Sequence, residues 1–141
     1  MIKLHFTILI IIAISGFTMA QSADEIIGKY HLPNKLDIEI YKVNNTYSGK
    51  IIALNGFEEG QIKDINNPEE LKRKDMLVGM EIIKNLRYDK DKNEWIDGNM
   101  YGPEKGMIFN LKITEIREKE IEVVGSKYFF WHTLEWERLR N

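Results

Sequence analysis

Met107-Ile108-Phe109-Asn110-Leu111-Lys112-Ile113-Thr114 is the stretch that decides how this chain folds. Met107, Phe109, Leu111 and Ile113 fall on one face, and Asn110, Lys112 and Thr114 fall on the other. Successive side chains of a strand point to opposite sides, so this period of two predicts a half-buried strand. Turn signals bracket it. Pro103-Glu104-Lys105-Gly106 precedes it, with Pro and Gly where a turn wants them, and Arg117-Glu118-Lys119 follows. A returning strand is predicted over 120–125, with Ile121 and Val123 facing in. The last is predicted over 128–139, with Phe130, Leu134 and Trp136 sharing a face.

Working back toward the N-terminus, strands are predicted over 94–101 and 81–88, joined by the polar tip Asp89-Lys90-Asp91-Lys92-Asn93. Three more precede them. Residues 26–32 end at Pro33-Asn34, residues 37–43 are rich in Ile, Tyr and Val, and residues 46–54 follow the Asn44-Asn45 turn. Asn tolerates the left-handed backbone that a two-residue hairpin needs. Only one connection is long, 55–78. It is expected to carry a short helix, with Asn67 as cap, Pro68 at its first position and Glu69-Glu70 at the positive end of its dipole. Eight short strands on hairpin turns fit a sandwich or an up-and-down barrel. The eight-stranded antiparallel up-and-down β-barrel is preferred, because a meander closing on itself removes both sheet edges. Its interior would just hold side chains or one small ligand.

Composition bounds the rest. At 141 residues the chain allows one domain, with room for a leader. A formal charge of -2 gives no basic excess for phosphate, so nucleic acid is a poor partner. With no cysteine there is no disulfide, thiolate metal site or cysteine nucleophile. Lys3, an apolar run over 6–14 and Thr18-Met19-Ala20 follow the order of a secretory signal peptide. Cleavage after Ala20 is expected, leaving a single domain over 21–141, exported to a periplasm or beyond. Removing Lys3 from the 20 basic residues leaves 19 against 22 acidic ones, a charge of −3. The apolar run is shorter than a spanning helix needs, so no membrane span is expected after cleavage.

A set of residues along the mature chain carries a family resemblance. It comprises Gly28-Lys29-Tyr30, Tyr47-Ser48-Gly49-Lys50-Ile51, Asp64-Ile65-Asn66-Asn67-Pro68, Arg73, Leu77 and Gly79. It continues with Trp95, Gly98, Tyr101-Gly102-Pro103, Gly106, Gly125 and Trp136-Glu137-Arg138. In order and spacing these resemble the bacterial exported proteins called domain of unknown function 2147. Tyr30, Gly102 and Phe109 depart from the family, which more often has Trp, an acidic residue and Tyr there. The resemblance implies a small barrel like those of lipocalins and fatty-acid-binding proteins. It implies no activity, and a lipid-like ligand only by analogy of fold.

Six residues form the expected ligand-contacting set: Asp64, Asn67, Arg73, Trp95, Tyr101 and Phe109. Asp64 and Arg73 are expected to pair, with Arg73 free to meet an anionic headgroup that Asp64 orients. The same residues also suit the simpler task of pinning a long loop. Trp95 and Phe109, with Tyr41, Met100, Phe130 and Trp136, either line an apolar cavity or fill a core. Gly28-x-Tyr30 and Trp136-x-Arg138 are expected to meet where the barrel closes, with a guanidinium over a ring. His31 and His132 lack partners at metal-ligand spacing. Asp89-x-Asp91-x-Asn93 lacks the Gly and the final Glu of a calcium loop. No cofactor, metal or catalytic residue is expected. The leading expectation is non-enzymatic binding of a small apolar or amphipathic ligand. The alternative is an envelope interaction module with a filled barrel, working through residues 55–78. A hydrolase or isomerase using Asp64 and Tyr101 ranks last, because no activated nucleophile or base pair is evident. The oligomeric state stays open.

Overall fold

The computed structural model describes residues 22–140. The proposed leader lies outside the described residues. Eight antiparallel strands run in sequence order around a closed barrel. They are β1 (Gly28–His31), β2 (Asp37–Val43), β3 (Thr46–Ala53), β4 (Glu81–Asp89), β5 (Glu94–Gly102), β6 (Met107–Ile116), β7 (Glu120–Lys127) and β8 (Phe130–Arg138). The up-and-down barrel inferred from alternation is the observed fold.

One end of the barrel is plugged. The predicted first strand is shorter than expected, because residues Ala23–Ile26 form a 3-10 turn. Ser22 N–H donates to Glu25 Oε1 at 3.1 Å, which fixes the start of that turn. Ile26 is fully buried. Interior side chains hold the turn in place. Tyr30 Oη donates to the Ile26 carbonyl at 2.7 Å, and Trp95 Nε1 donates to the Ala23 carbonyl at 2.9 Å. Tyr47 Oη and Lys42 Nζ reach Asp24 Oδ1 at 2.6 and 3.0 Å. These bonds, Tyr47's first, hold the Asp24 carboxyl below its usual range. Every polar tip of this buried aromatic cluster thus has a partner, as burial requires.

The wall curls through irregular pairings. Register shifts interrupt the pairing between Trp95 and Gly98, and Asp97 has a positive φ of 61°. Bulges bend a sheet, and a small barrel needs that bend. Gly98 also makes room: a Cβ there would lie 2.6 Å from Leu86 Cδ2 and 2.8 Å from the Leu111 carbonyl oxygen. Large residues of β4 therefore fill space that β5 leaves.

The other end is covered on one side only. Phe57 and Leu77 from the long connection join Leu32 and Leu36 in the buried cluster. Across the barrel, β6 goes from buried Ile113 and Leu111 to half-buried Phe109 and exposed Met107. The alternating face does point inward, and Phe109 still packs against the core, whereas Met107 at the start of the strand is exposed. In β8 the expected buried face is correct only at Trp136, whereas Phe130 and Leu134 are exposed. The reason is the length of the neighbours: β1 pairs with β8 at only two positions, Tyr30 with Arg138 and His31 with Glu137. The rest of β8 outruns β1.

The expected helix is a single 3-10 turn at Glu70–Lys72. It begins later than predicted, so Asn67 is not its cap and Pro68 not its first residue. Asn67 Oδ1 instead accepts the Glu69 N–H at 2.8 Å, a turn of its own. The expected cation–π seal is also replaced. Arg138 lies opposite Tyr30, but its Nη1 donates to the Arg117 carbonyl at 3.1 Å.

Candidate functional site at the open end

The structure sorts the six expected residues into three places. Asp64, Asn67, Arg73 and Tyr101 gather where the long connection lies against the outer wall of β5. Asp64 is fully buried. It accepts from Tyr101 Oη at 2.7 Å through Oδ1 and from Asn67 Nδ2 at 2.7 Å through Oδ2. Burial, and then the bond to Asp64, push the Tyr101 phenol above its ordinary value. Arg73 does not pair with Asp64; its Nε donates to the Asn67 carbonyl at 2.8 Å. Nearby, Asn66 Nδ2 donates to the Pro103 and Glu104 carbonyls at 3.2 and 3.1 Å. These bonds tie loop to wall and turn, and they leave the Asp64 carboxylate oxygens already engaged.

Trp95 sits at the plugged end, fully buried against Tyr88 with ring centroids 4.9 Å apart. It lies six residues from Tyr101 along β5, roughly 20 Å by strand rise. Asp64, Asn67 and Tyr101 line an outer pocket of about 350 Å³, whereas Phe109 faces a separate cavity.

That cavity, of about 470 Å³, occupies the open half of the barrel mouth. Its apolar lining includes Met107, Phe109, Gly125, Phe130 and Leu134. Polar groups sit around it: Glu104, Lys105, Lys127 and His132. Glu104 Oε2 is buried and has no hydrogen-bond partner among the described residues. The space exists because Gly125 and Gly102 contribute no side chain. A Cβ on Gly125 would lie 3.2 Å from the Phe109 ring, and one on Gly102 would lie 3.3 Å from Glu104 Oε1.

Beside the mouth the β7–β8 hairpin projects. Its four consecutive aromatic residues are strongly exposed: Tyr128 87%, Phe129 90%, Phe130 75% and Trp131 70%. They belong to the stretch expected above as a half-buried closing strand. The available signal was that Tyr128-Phe129-Phe130-Trp131 does not alternate, so a strand through it cannot have one apolar face. No spacing in the sequence marks Glu104, Gly125, His132 and Leu134 as neighbours, since they come from three segments that meet only in space. Among the described residues no group of His, Cys, Asp and Glu is placed to hold a metal, and no helix is long and apolar enough to cross a membrane.

A closed meander with one plugged end and a lined mouth defines the class of lipocalin-like barrels. In agreement, the fold matches a solved structure described as protein HP1028 from Helicobacter pylori, which belongs to the lipocalin family. The TM-score is 0.73 at 18% identity, over 83% of this chain and 84% of that one. Residues 28–138 match the model of a family described as an uncharacterised protein conserved in bacteria, domain of unknown function 2147, and the chain belongs to that family. No curated protein matches.

Proposed function

We propose that this protein is an exported, non-enzymatic carrier that holds one small apolar or amphipathic molecule in the barrel mouth. The observation that carries this reading is the cavity of about 470 Å³, open to solvent and walled by Met107, Phe109, Phe130 and Leu134. Ligand pockets of this kind run from about 300 to 1,000 Å³, with apolar walls and a few polar groups. The buried, unpartnered Glu104 Oε2 favours a ligand with a hydrogen-bond donor on its head, since an unpaired buried acceptor is costly. Lys105 and Lys127 at the rim equally suit an anionic head. The leader-like residues 1–20 support export, and a periplasmic or secreted location follows from that reading. The interaction-module reading has support only in the exposed apolar residues Ile62, Ile65, Leu71 and Met76 of the long connection.

Native mass spectrometry of protein from its own host, with organic extraction, tests the carrier. A lipid-like molecule should be recovered, and a fluorescent fatty-acid probe should bind and be displaced. Gly125→Leu should fill the mouth and weaken probe binding by at least about tenfold, on the scale of one lost apolar contact set. Recovery of no such molecule together with no probe binding would rule the carrier out.

A further inference from the structure

We infer that the free edge of β8 is a dimer interface, on which a second copy of this chain adds its own β8 in antiparallel register. The inference does not depend on the carrier reading.

Backbone polarity shows which groups are free. Arg138 N–H donates toward β7, to the Lys119 carbonyl at 2.7 Å, and Leu139 N–H donates toward β1, to the Lys29 carbonyl at 2.9 Å. Directions alternate along an antiparallel strand, and the pairing of β7 with β8 is unbroken from Glu120–Glu137 to Lys127–Phe130. Even-numbered residues of β8 therefore face β7, and odd-numbered ones face away. Glu137 meets β1 at His31, where β1 ends. Trp131, Thr133 and Glu135 consequently point their N–H and C=O groups past the end of β1, and no described strand pairs with them.

This edge has little of what usually protects one: of its three free residues only Glu135 is charged, and its carboxylate already meets Arg117 Nη1 at 3.2 Å. Proteins blunt edges with Lys, Pro, charges or bulges. From Tyr128 to Leu134 the sequence holds no Lys, Arg, Asp, Glu or Pro, and the register carries no bulge. Both faces of the strand are exposed from Phe130 to Glu135. In addition, Tyr128 sits at a positive φ of 54°, a backbone that bulky residues rarely adopt, and its ring stays exposed.

A second copy fits this edge better than other occupants. A lipid phase would surround the aromatic rings but leave three residues' backbone groups unpaired, which apolar surroundings penalise. A strand satisfies them. The free segment is symmetric about Thr133, so a two-fold axis there sets Thr133 opposite Thr133 of the second copy and Trp131 opposite its Glu135. No like charges face each other, and Thr–Thr is a favourable cross-strand pair. The four exposed aromatic side chains offer roughly 600 Å², which approaches the roughly 800 Å² per partner of a stable interface. Pairing consumes the edge of both copies, so the assembly closes at two. Phe130, His132 and Leu134 line the mouth cavity from the same strand. The second copy would therefore extend the wall of each cavity across the seam.

Light scattering after size exclusion, over a range of concentrations, tests this on the purified protein. The expected mass is twice that of one chain. Thr133→Pro removes a donor that faces only the free edge, and Pro is tolerated at such positions. It should weaken dimerisation by at least about tenfold, because both copies lose a hydrogen bond. Its far-UV circular dichroism should match that of the unchanged protein, and its melting temperature should no longer depend on protein concentration. Trp131→Lys, which adds an edge charge without altering the backbone, should do the same if the proline variant fails to fold. In hydrogen exchange, Trp131, Thr133 and Glu135 amides should be protected in the dimer and exposed in either variant. A monomer at about 100 μM, the upper range of ordinary specific association, would overturn the inference. So would a Thr133→Pro dimer of undiminished affinity, or a monomer that binds lipid vesicles through the aromatic hairpin.

Discussion

Single side chains hold this barrel at its ends. Burial pushes the Tyr30 phenol from its ordinary 10.0 up to about 12, against a smaller opposing pull from Arg138. The folded state thus favours the neutral phenol. Tyr30's contribution is complete below about pH 10 and is lost as pH rises toward 12. Alkaline denaturation followed by circular dichroism should show this loss, and Tyr30→Phe should diminish it while costing about 1 kcal/mol at neutral pH for the bond to Ile26. Asp24 acts at the opposite extreme. Its carboxyl is held below the usual 3.8, so its contribution is present above that pH and is lost as pH falls further. At the loop, Asp64→Ala should destabilise the protein by about 3 kcal/mol in thermal melting, since it strips partners from Tyr101 and Asn67 together. Probe binding in the mouth should survive that change, which separates a latch from a ligand contact. Gly106 is a fourth such point. Its φ is +63°, and a Cβ there would lie 1.9 Å from the Asn66 carbonyl oxygen. Gly106→Ala should therefore release the loop from the turn and be detected as faster proteolysis within residues 55–78.

Among the elements, alternation was the informative signal and length the hidden one. Leu111 and Ile113 are buried on the face that their spacing predicts. Strands β2 to β6 lie within two residues of their predicted limits for the same reason, because a strand half in a core must alternate. The first strand is expected from Ile26, yet Ala23–Ile26 form a 3-10 turn and β1 begins at Gly28. Ile26-Ile27 has strand-like composition, but Ser22 and Glu25 offer the local bonds of a turn, and the barrel interior needs a plug there. Ile26→Ala should cost about 3 kcal/mol in chemical unfolding, through the void left between Tyr30 and Trp95. The short helix is present as one turn but starts later than expected, because Asn67 satisfies the Glu69 N–H directly and Asp75 already turns back to the barrel. The β7–β8 hairpin departs furthest from expectation, since its aromatic content marks a strand whether that strand is covered or not.

The whole molecule is a barrel of unequal ends. The interior is solid where Tyr30, Tyr47, Trp95 and the N-terminal turn meet, and it is open where Gly102 and Gly125 leave space. That asymmetry lets a chain with no cysteine combine a stabilising core with a cavity. At this size a domain buries enough apolar surface without crosslinks, provided one part of it is well packed. Mutations at the plug should therefore lower stability and leave probe affinity per folded molecule unchanged. Gly125→Leu should do the reverse, and melting curves beside probe titrations will distinguish the two classes.

The sequence by itself determined the strand periodicity, the hairpin turns and hence the meander, because those depend on neighbours two to ten residues apart. It also marked Asp64, Asn67 and Tyr101 as belonging together, and pinning the long connection is one of the two tasks that it offered for them. Only the tertiary structure decided which end is plugged, that Trp95 packs there while Phe109 faces the mouth, and that β8 extends past β1. The physical reason is common to all three. Each depends on where the sheet closes on itself, and closure pairs the first strand with the last, across more than 100 residues of chain whose local patterns carry no record of the meeting.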